Sequence, residues 1–178
     1  MTGQLTRDEV DAIVDAWHRE RPDLDVAPME ILSRISRLAR HLDRLRANAF
    51  SSHDLESWEF DVLAALRRSG QPYRLSPGQL LRETLVTSGT MTNRVDRLEM
   101  RGLVARQDHP NDRRGVLVQL TEAGKDAVDA TLAELMAAER RILAALDVTE
   151  HDQLAGSLRR LLARTAPLPD SLGSQLNR

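Results

Sequence analysis

Two helix starts follow each other closely near the middle of the chain, and they restrict the fold more than any other feature. Ser76 and Pro77 form the first, because a serine hydroxyl accepts a free backbone N–H and proline suits an opening turn. The run 87–90 forms the second and leads into a helix over 91–101, which Gly102 is placed to end. Two helices separated by a short turn predict a helix-turn-helix.

Two runs of strand-forming residues come directly after this motif. Residues 104–109 form the first run, and residues 115–120 form the second, which alternates apolar and polar positions. The residues between them, 110–114, combine proline and asparagine with charged side chains. A hairpin with a charged tip is therefore predicted, and a helix-turn-helix followed by such a hairpin indicates a winged helix.

Amphipathic helices are predicted before the helix-turn-helix. Thr6 and Glu9 have the spacing of a capping box, which would start the first helix at Arg7. A longer apolar stripe opens at Pro28 and runs at helical spacing, and a third helix begins near Ser57. Three helices are thus expected ahead of the winged helix.

Two further helices are predicted after the hairpin. Thr121 can cap the first of them, and the second starts at Thr149. Terminal helices that are apolar over this length are most simply explained by packing against a second copy of the chain. We therefore predict a mainly α fold with a small β-wing, in which N- and C-terminal helices form a dimerisation lobe. The expected divisions are N-terminal helices forming the dimerisation and ligand lobe (1–56), winged helix-turn-helix (57–120), C-terminal dimerisation helices (121–166) and flexible tail (167–178).

Composition excludes several classes of protein. The chain has no cysteine, which excludes disulfides and thiolate metal sites, and its five histidines are not spaced as a metal-binding pair. It contains neither a nucleophile elbow nor a phosphate-binding glycine loop. We therefore expect a protein that is not an enzyme, binds no metal and has no cofactor.

Charge and hydropathy restrict its partners. The net charge is only -2, so any affinity for nucleic acid must come from a local basic surface. No segment is apolar enough to span a membrane, and the first residues lack the pattern of a secretory signal. We expect a cytoplasmic protein without a membrane partner.

The sequence resembles the MarR family of transcription regulators through three motifs in the expected order. These are Thr90-Met91-Thr92-Asn93-Arg94-Val95-Asp96-Arg97-Leu98, then Arg101-Gly102-Leu103-Val104, then Asp108-His109-Pro110-Asn111-Asp112-Arg113-Arg114. The resemblance covers roughly residues 28–162. It implies a homodimeric repressor that binds double-stranded DNA. The operator would be a pseudopalindrome with half-sites about one helical turn apart.

The resemblance also implies where DNA would be contacted. The second helix of the helix-turn-helix would enter the major groove, and the arginines at the wing tip would reach the minor groove. The expected DNA contacts are Ser88, Thr90, Met91, Thr92, Asn93, Arg97, Arg113 and Arg114.

A narrower resemblance, to the urate-responsive branch of this family, implies a ligand site. It rests on four matching positions, Trp17, Asp61, Arg94 and Arg106. Two guanidinium groups and an indole N–H suit a planar anion, and Asp61 would be the charge that the anion displaces. The effector implied is urate, with trans-aconitate, another purine or a phenolic anion as alternatives. A winged-helix module that binds protein is the rival outside this class.

Overall fold

The computed structural model of the chain describes residues 7–84, 87–109 and 112–165, with the backbone alone at 109 and 112–114. Its elements are α1 (Glu9–Glu20), α2 (Ala27–Ser51), α3 (Ser57–Arg68), β1 (Arg74–Leu75), α4 (Pro77–Thr84), α5 (Ser88–Met100), β2 (Val104–His109), β3 (Asp112–Leu120), α6 (Glu122–Leu143) and α7 (Val148–Thr165). This order confirms the predicted mainly α fold with a small β-wing. Within the described ranges, no helix combines the length and apolarity that a bilayer span requires.

The chain divides into two compact units after Met136. The first unit contains the winged helix, which comprises α3, α4, α5 and the sheet. Its sheet is antiparallel in the order β1-β3-β2, and Val118 of β3 pairs with Leu75 on one side and Arg106 on the other. Strand β1 was not predicted, because two residues are too few to show an alternating pattern.

One apolar core holds the winged helix together. Helix α4 packs on α3 and α5, and α3 also packs on the sheet. The side chains where these elements meet are completely buried; they are Leu63, Leu66, Leu80, Leu98 and Val118. Because the core takes one face of every element, the opposite face of α5 is left at the surface.

The end of α5 is fixed by a glycine turn. Gly102 has φ +70°, a conformation that side chains other than glycine rarely adopt. Its N–H donates to the Glu99 carbonyl at 2.9 Å, and the Leu103 N–H donates to the Leu98 carbonyl at 3.0 Å. This is the Schellman pattern, and it confirms the predicted cap at Gly102.

Four helix starts differ from the prediction, and the first is that of α2, which begins at Ala27 rather than Pro28. Helix α1 begins at Glu9 rather than Arg7, because Asp8 and Asp11 form the capping box that was assigned to Thr6 and Glu9; Thr6 lies outside the described residues. Helix α5 begins at Ser88 rather than at 91. Helix α7 begins at Val148, one residue before the predicted start. The reason is reciprocal hydrogen bonding between Asp147 and Glu150 at 2.8 and 2.9 Å.

The helices before the winged helix bury much less. Val10 and Val14 of α1 form a small separate cluster with Val26. Ion pairs fasten α1 to α2, with Arg34 contacting both Asp8 and Asp11 at 2.8 Å. Along α2, four large apolar side chains stay 36–60% exposed, namely Ile31, Leu32, Ile35 and Leu38. Helix α7, in the second unit, has no buried residue at all.

Candidate DNA and ligand site

The outer face of α5 carries a row of polar side chains. Met91, Val95 and Leu98 point into the core and anchor the helix. Exposed positions of the same helix include Ser88, Thr90, Thr92, Asn93 and Arg97. Five of the residues predicted to contact DNA therefore share one accessible surface.

Met91 does not belong to that surface. Its side chain is only 1% exposed and packs in the main core with Val95 and Leu98. A buried thioether cannot reach a thymine methyl in the groove, so the predicted DNA contact at Met91 is wrong. The helical period places position 91 on the same face as positions 95 and 98. The prediction treated neighbouring residues of the helix alike and did not take this period into account.

An open cleft of about 400 Å³ lies beside this polar row. It is lined by Trp58, Gly89, Thr90, Asn93, Arg94 and Arg97. Trp58 comes from the first turn of α3, and the other five residues come from α5. The cleft thus joins predicted DNA contacts to one predicted ligand contact, Arg94.

Trp58 and Glu56, which the sequence analysis did not single out, organise this cleft. The indole N–H of Trp58 donates to Glu56 Oε2 at 2.6 Å, and Arg97 Nη2 donates to Glu56 Oε1 at 2.6 Å. The Arg97 guanidinium also lies over the Trp58 ring, 4.7 Å from its centroid. The hydrogen bond from Trp58, with that from Arg97, holds the pKa of Glu56 below its usual value.

Asp61 and Arg94, two of the predicted ligand residues, influence each other through their charges. Partial burial of the carboxyl raises the pKa of Asp61, against the attraction of Arg94, Arg68 and Arg46. Asp61 and Arg94 form no direct hydrogen bond, and the Arg94 guanidinium instead lies 5.5 Å from the Trp58 ring centroid. The guanidinium of Arg94 is therefore attracted by the Asp61 charge without being bonded to it.

Arg106, the third predicted ligand residue, is held by two carboxylates of α5. It forms ion pairs with Asp96 and Glu99, and its backbone N–H also donates to Glu99. The hydrogen bond to Asp96, followed by that to Glu99, raises the pKa of Arg106. A ligand that engages Arg106 must compete with these two carboxylates.

Trp17, the fourth predicted ligand residue, lies apart from the other three. It is 46% exposed on α1, and it has no hydrogen bond or ring contact with Asp61, Arg94 or Arg106. The structure of the single chain thus brings Asp61 and Arg94 together, but it does not bring Trp17 to them.

An ion pair with a buried carboxylate connects α3 to the end of α5. Glu59 is only 1% exposed, and Arg101 Nη1 donates to its Oε2 at 2.5 Å. Arg101 Nη2 also donates to the Asp54 carbonyl at 2.6 Å and to the Asp54 carboxylate at 2.8 Å. This pair fixes α5 relative to the turn before α3, and the sequence gives no local sign of it.

The wing tip and metal-binding side chains are the remaining features of the site. The side chains of Arg113 and Arg114 lie outside the described part of the chain, so their predicted contacts remain predictions. Among the residues that are described, no group of histidine, aspartate or glutamate side chains has the geometry of a metal site.

The chain is similar in sequence to known transcription regulators. Residues 53–115 match a family model described as MarR family. The chain is 40% identical to the HTH-type transcriptional regulator PecS of Dickeya dadantii (strain 3937) over 153 residues, which cover 86% of this chain and 92% of that protein.

Two solved structures are also similar. A mutant MarR from E. coli in complex with operator DNA is 28% identical, with a TM-score of 0.62, over 78% of this chain and 99% of that one. BpsR of Bordetella bronchiseptica, whose DNA binding is regulated by 6-hydroxynicotinic acid, is 26% identical with a TM-score of 0.54; the match covers 72% of this chain and 98% of BpsR.

Proposed function

Because the chain belongs to the MarR family of transcriptional regulators, we propose that it is a homodimeric repressor that a small anion releases from its operator. The family consists of regulators, and the protein is not an enzyme. The observation that carries the proposal is the exposed polar row on α5, opposite a completely buried face. A helix supported in this way can enter the major groove without disturbing its own core.

The α5 row supplies the base-reading groups. Thr90 and Thr92 offer hydroxyls, Asn93 suits an adenine edge, and Arg97 suits a guanine edge or a phosphate. Arg113 and Arg114 would follow the minor groove from the wing. The likeness to a MarR mutant crystallised with operator DNA supports this orientation.

The exposed apolar stripe of α2 supports the dimer. Ile31, Leu32, Ile35 and Leu38 form one face of the helix, and each is at least 36% exposed in the single chain. A stripe of this kind in a monomer favours association, because apolar surface leaves water when a partner covers it. A two-fold pair of chains would place two α5 helices on successive turns of one duplex.

Urate is the effector that we propose for the site around Asp61 and Arg94. The Arg94 guanidinium can donate to a planar anion. Arg106 can add a second set of donors once its ion pairs with Asp96 and Glu99 are broken. Asp61 would repel the incoming charge, so binding would move α5 through Arg94. In the single chain Trp17 does not contact this site. It would contact the ligand only if α1 were placed differently.

A carboxylate-bearing heterocycle is the second candidate effector. The likeness to BpsR, which responds to 6-hydroxynicotinic acid, favours it. Trans-aconitate, other purines and phenolic anions use the same guanidinium chemistry. All of them therefore belong in the same assay.

The test is a titration of urate into the complex between the chain and a duplex from the region upstream of its own gene, followed by mobility shift. The proposal predicts release of the duplex by urate, and loss of that release in Arg94→Ala. Arg19→Ala, which removes an exposed arginine from α1, is the matched control and should respond as the wild type does.

Each other outcome has a definite meaning. If urate leaves the complex intact and another of these anions dissociates it, that anion replaces urate as the proposed effector. A chain that binds no upstream duplex would contradict the repressor and favour a winged-helix module that binds protein. Release that persists in Arg94→Ala would remove Arg94 from the ligand site.

A further inference from the structure

Arg97 of α5 is held from two directions by side chains at the start of α3. Glu56 accepts a hydrogen bond from its Nη2 at 2.6 Å, and the Trp58 ring lies under its guanidinium at 4.7 Å. The same Glu56 carboxylate accepts the Trp58 indole N–H at 2.6 Å. Each of these three side chains therefore fixes the other two.

This arrangement leaves most of the guanidinium available. An arginine has five N–H donors in a planar fork, and Glu56 takes one of them. Arg97 remains 52% exposed and lines the cleft together with Thr90 and Asn93. Its remaining donors therefore lie beside the polar groups proposed to read DNA.

We propose that Glu56 and Trp58 are positioning residues that set the sequence specificity of this protein by holding Arg97 at a fixed angle on α5. The inference rests on the proposed function, in which α5 enters the major groove. Neither residue needs to touch DNA, because each acts through Arg97.

The physical reason lies in the geometry of guanine recognition. Bidentate bonding to a guanine edge requires the guanidinium plane to match the plane of the base. A free arginine must lose its rotamer entropy on binding, whereas a stacked and ion-paired arginine has lost it already. Phosphate contacts in non-specific binding tolerate many orientations, so they gain little from this ordering.

The test compares a specific duplex with a scrambled one. A duplex selected from a random pool by the wild-type chain and a scrambled duplex of equal length are titrated, and fluorescence anisotropy gives both affinities. Glu56→Gln should reduce their ratio about fivefold, while the protein stays folded because a glutamine side chain can still accept a hydrogen bond at the N-cap of α3. Glu83→Gln is the matched control, because Glu83 is an equally exposed carboxylate (52% against 57%) that is also paired with an arginine.

The dependence on Arg97 separates this role from the alternatives. Trp58→Ala should reduce the ratio as Glu56→Gln does, and neither change should alter it further in an Arg97→Ala background. An equal loss in that background would overturn the proposal. So would an equal rise in both affinities with Glu56→Gln, since Glu56 would then merely repel phosphate. A wild-type chain that selects no duplex would overturn the proposed function, and this inference with it.

Discussion

The winged helix and the helices that precede it differ in how much of their apolar surface is buried within a single chain. In the winged helix, residues from α3, α4, α5 and the sheet form one core, and side chains such as Leu66 and Leu98 are completely buried. Helix α1 and the first half of α2, with Val26 just before α2, bury only a cluster of three valines and leave a row of large apolar side chains in water. The first region is complete in one chain, whereas the second is suited to a partner.

The two regions also differ in how they use charge. In the winged helix, Glu59 is buried and paired with Arg101, so the pair contributes to a fixed structure. Between α1 and α2, the ion pairs of Arg34 with Asp8 and Asp11 are solvent-exposed. Exposed pairs contribute roughly 0 to 1 kcal/mol each, so the winged helix should be the rigid region and the N-terminal helices the adaptable one.

The largest expected effect comes from breaking the buried pair. Arg101→Met leaves the buried Glu59 carboxylate without its charged partner and with only the Glu56 N–H bonded to it, which should lower the free energy of unfolding by about 3 kcal/mol. Urea unfolding followed by circular dichroism measures this.

The control is Arg68→Met, which breaks the exposed pair with Glu83 and should change the free energy of unfolding by less than about 1 kcal/mol. Adding Glu59→Gln to Arg101→Met should recover part of the loss, because the buried charge is gone. Equal effects of Arg101→Met and Arg68→Met would show that the burial of Glu59 adds nothing to its pair, and would remove this pair from the contrast between the two regions.

Dimerisation should respond next most strongly. Ile31→Glu places a carboxylate on the exposed stripe of α2, where Ile31 is 60% exposed and its replacement leaves the single-chain core intact. The dissociation constant of the dimer should rise at least about 100-fold, because apolar contact is lost and a charge would be buried. Sedimentation equilibrium measures it.

Arg44→Glu, at a polar position of the same helix, serves as the control for added negative charge. The account expects it to dimerise nearly as the wild type does. Unchanged dimerisation of Ile31→Glu would show that another surface pairs the two chains.

A smaller effect is expected at the wing. Replacing both Arg113 and Arg114 with alanine should weaken operator binding at least about tenfold and reduce the salt slope by about four, since the proposal gives each of the four arginines in a dimer one phosphate contact. The dimer should be unaffected, because this change lies in the self-sufficient region. Anisotropy titrations at several salt concentrations give both quantities, and an unchanged slope would exclude the wing from the interface.

The smallest expected effect is a pH-dependent change in thermal stability at Asp61. This residue of α3 is attracted by the charge of Arg46 in α2. Partial burial raises the pKa of Asp61, so its ionised form opposes folding above that pKa and its neutral form does not. Asp61→Asn should therefore raise the thermal midpoint slightly at pH 7 and leave it unchanged well below the usual pKa of 3.8. A lower midpoint at pH 7 would mean that the charge of Asp61 stabilises the fold.

Much of the fold could be predicted from the sequence, because its signals are local. The cap at Gly102, the serine start of α4 and the alternation in β3 each depend on a few adjacent residues. Strand β1 escaped because two residues show no period. The starts of α1 and α7 were misplaced because several polar residues near each end could act as caps, and only tertiary packing selects among them.

The site was less predictable, because its contacts join residues far apart in sequence. Glu56 meets Arg97, and Glu59 meets Arg101, at sequence separations of 41 and 42 residues that include β1 and α4. The burial of Met91 could have been inferred from its spacing to Val95 and Leu98. The pairing of Arg106 with Asp96 and Glu99 could not, since it depends on how β2 lies against α5.

The most direct test of the central claim measures how many chains bind a duplex and how strongly. Wild-type protein is titrated with its upstream duplex and with a scrambled duplex of equal length, between 50 and 200 mM salt, values within the range where counterion release is pronounced. The account predicts two chains per duplex, a clear preference for the upstream sequence and an affinity that falls at least about 100-fold over this range. Equal affinity for both duplexes, or one chain per duplex, would contradict it.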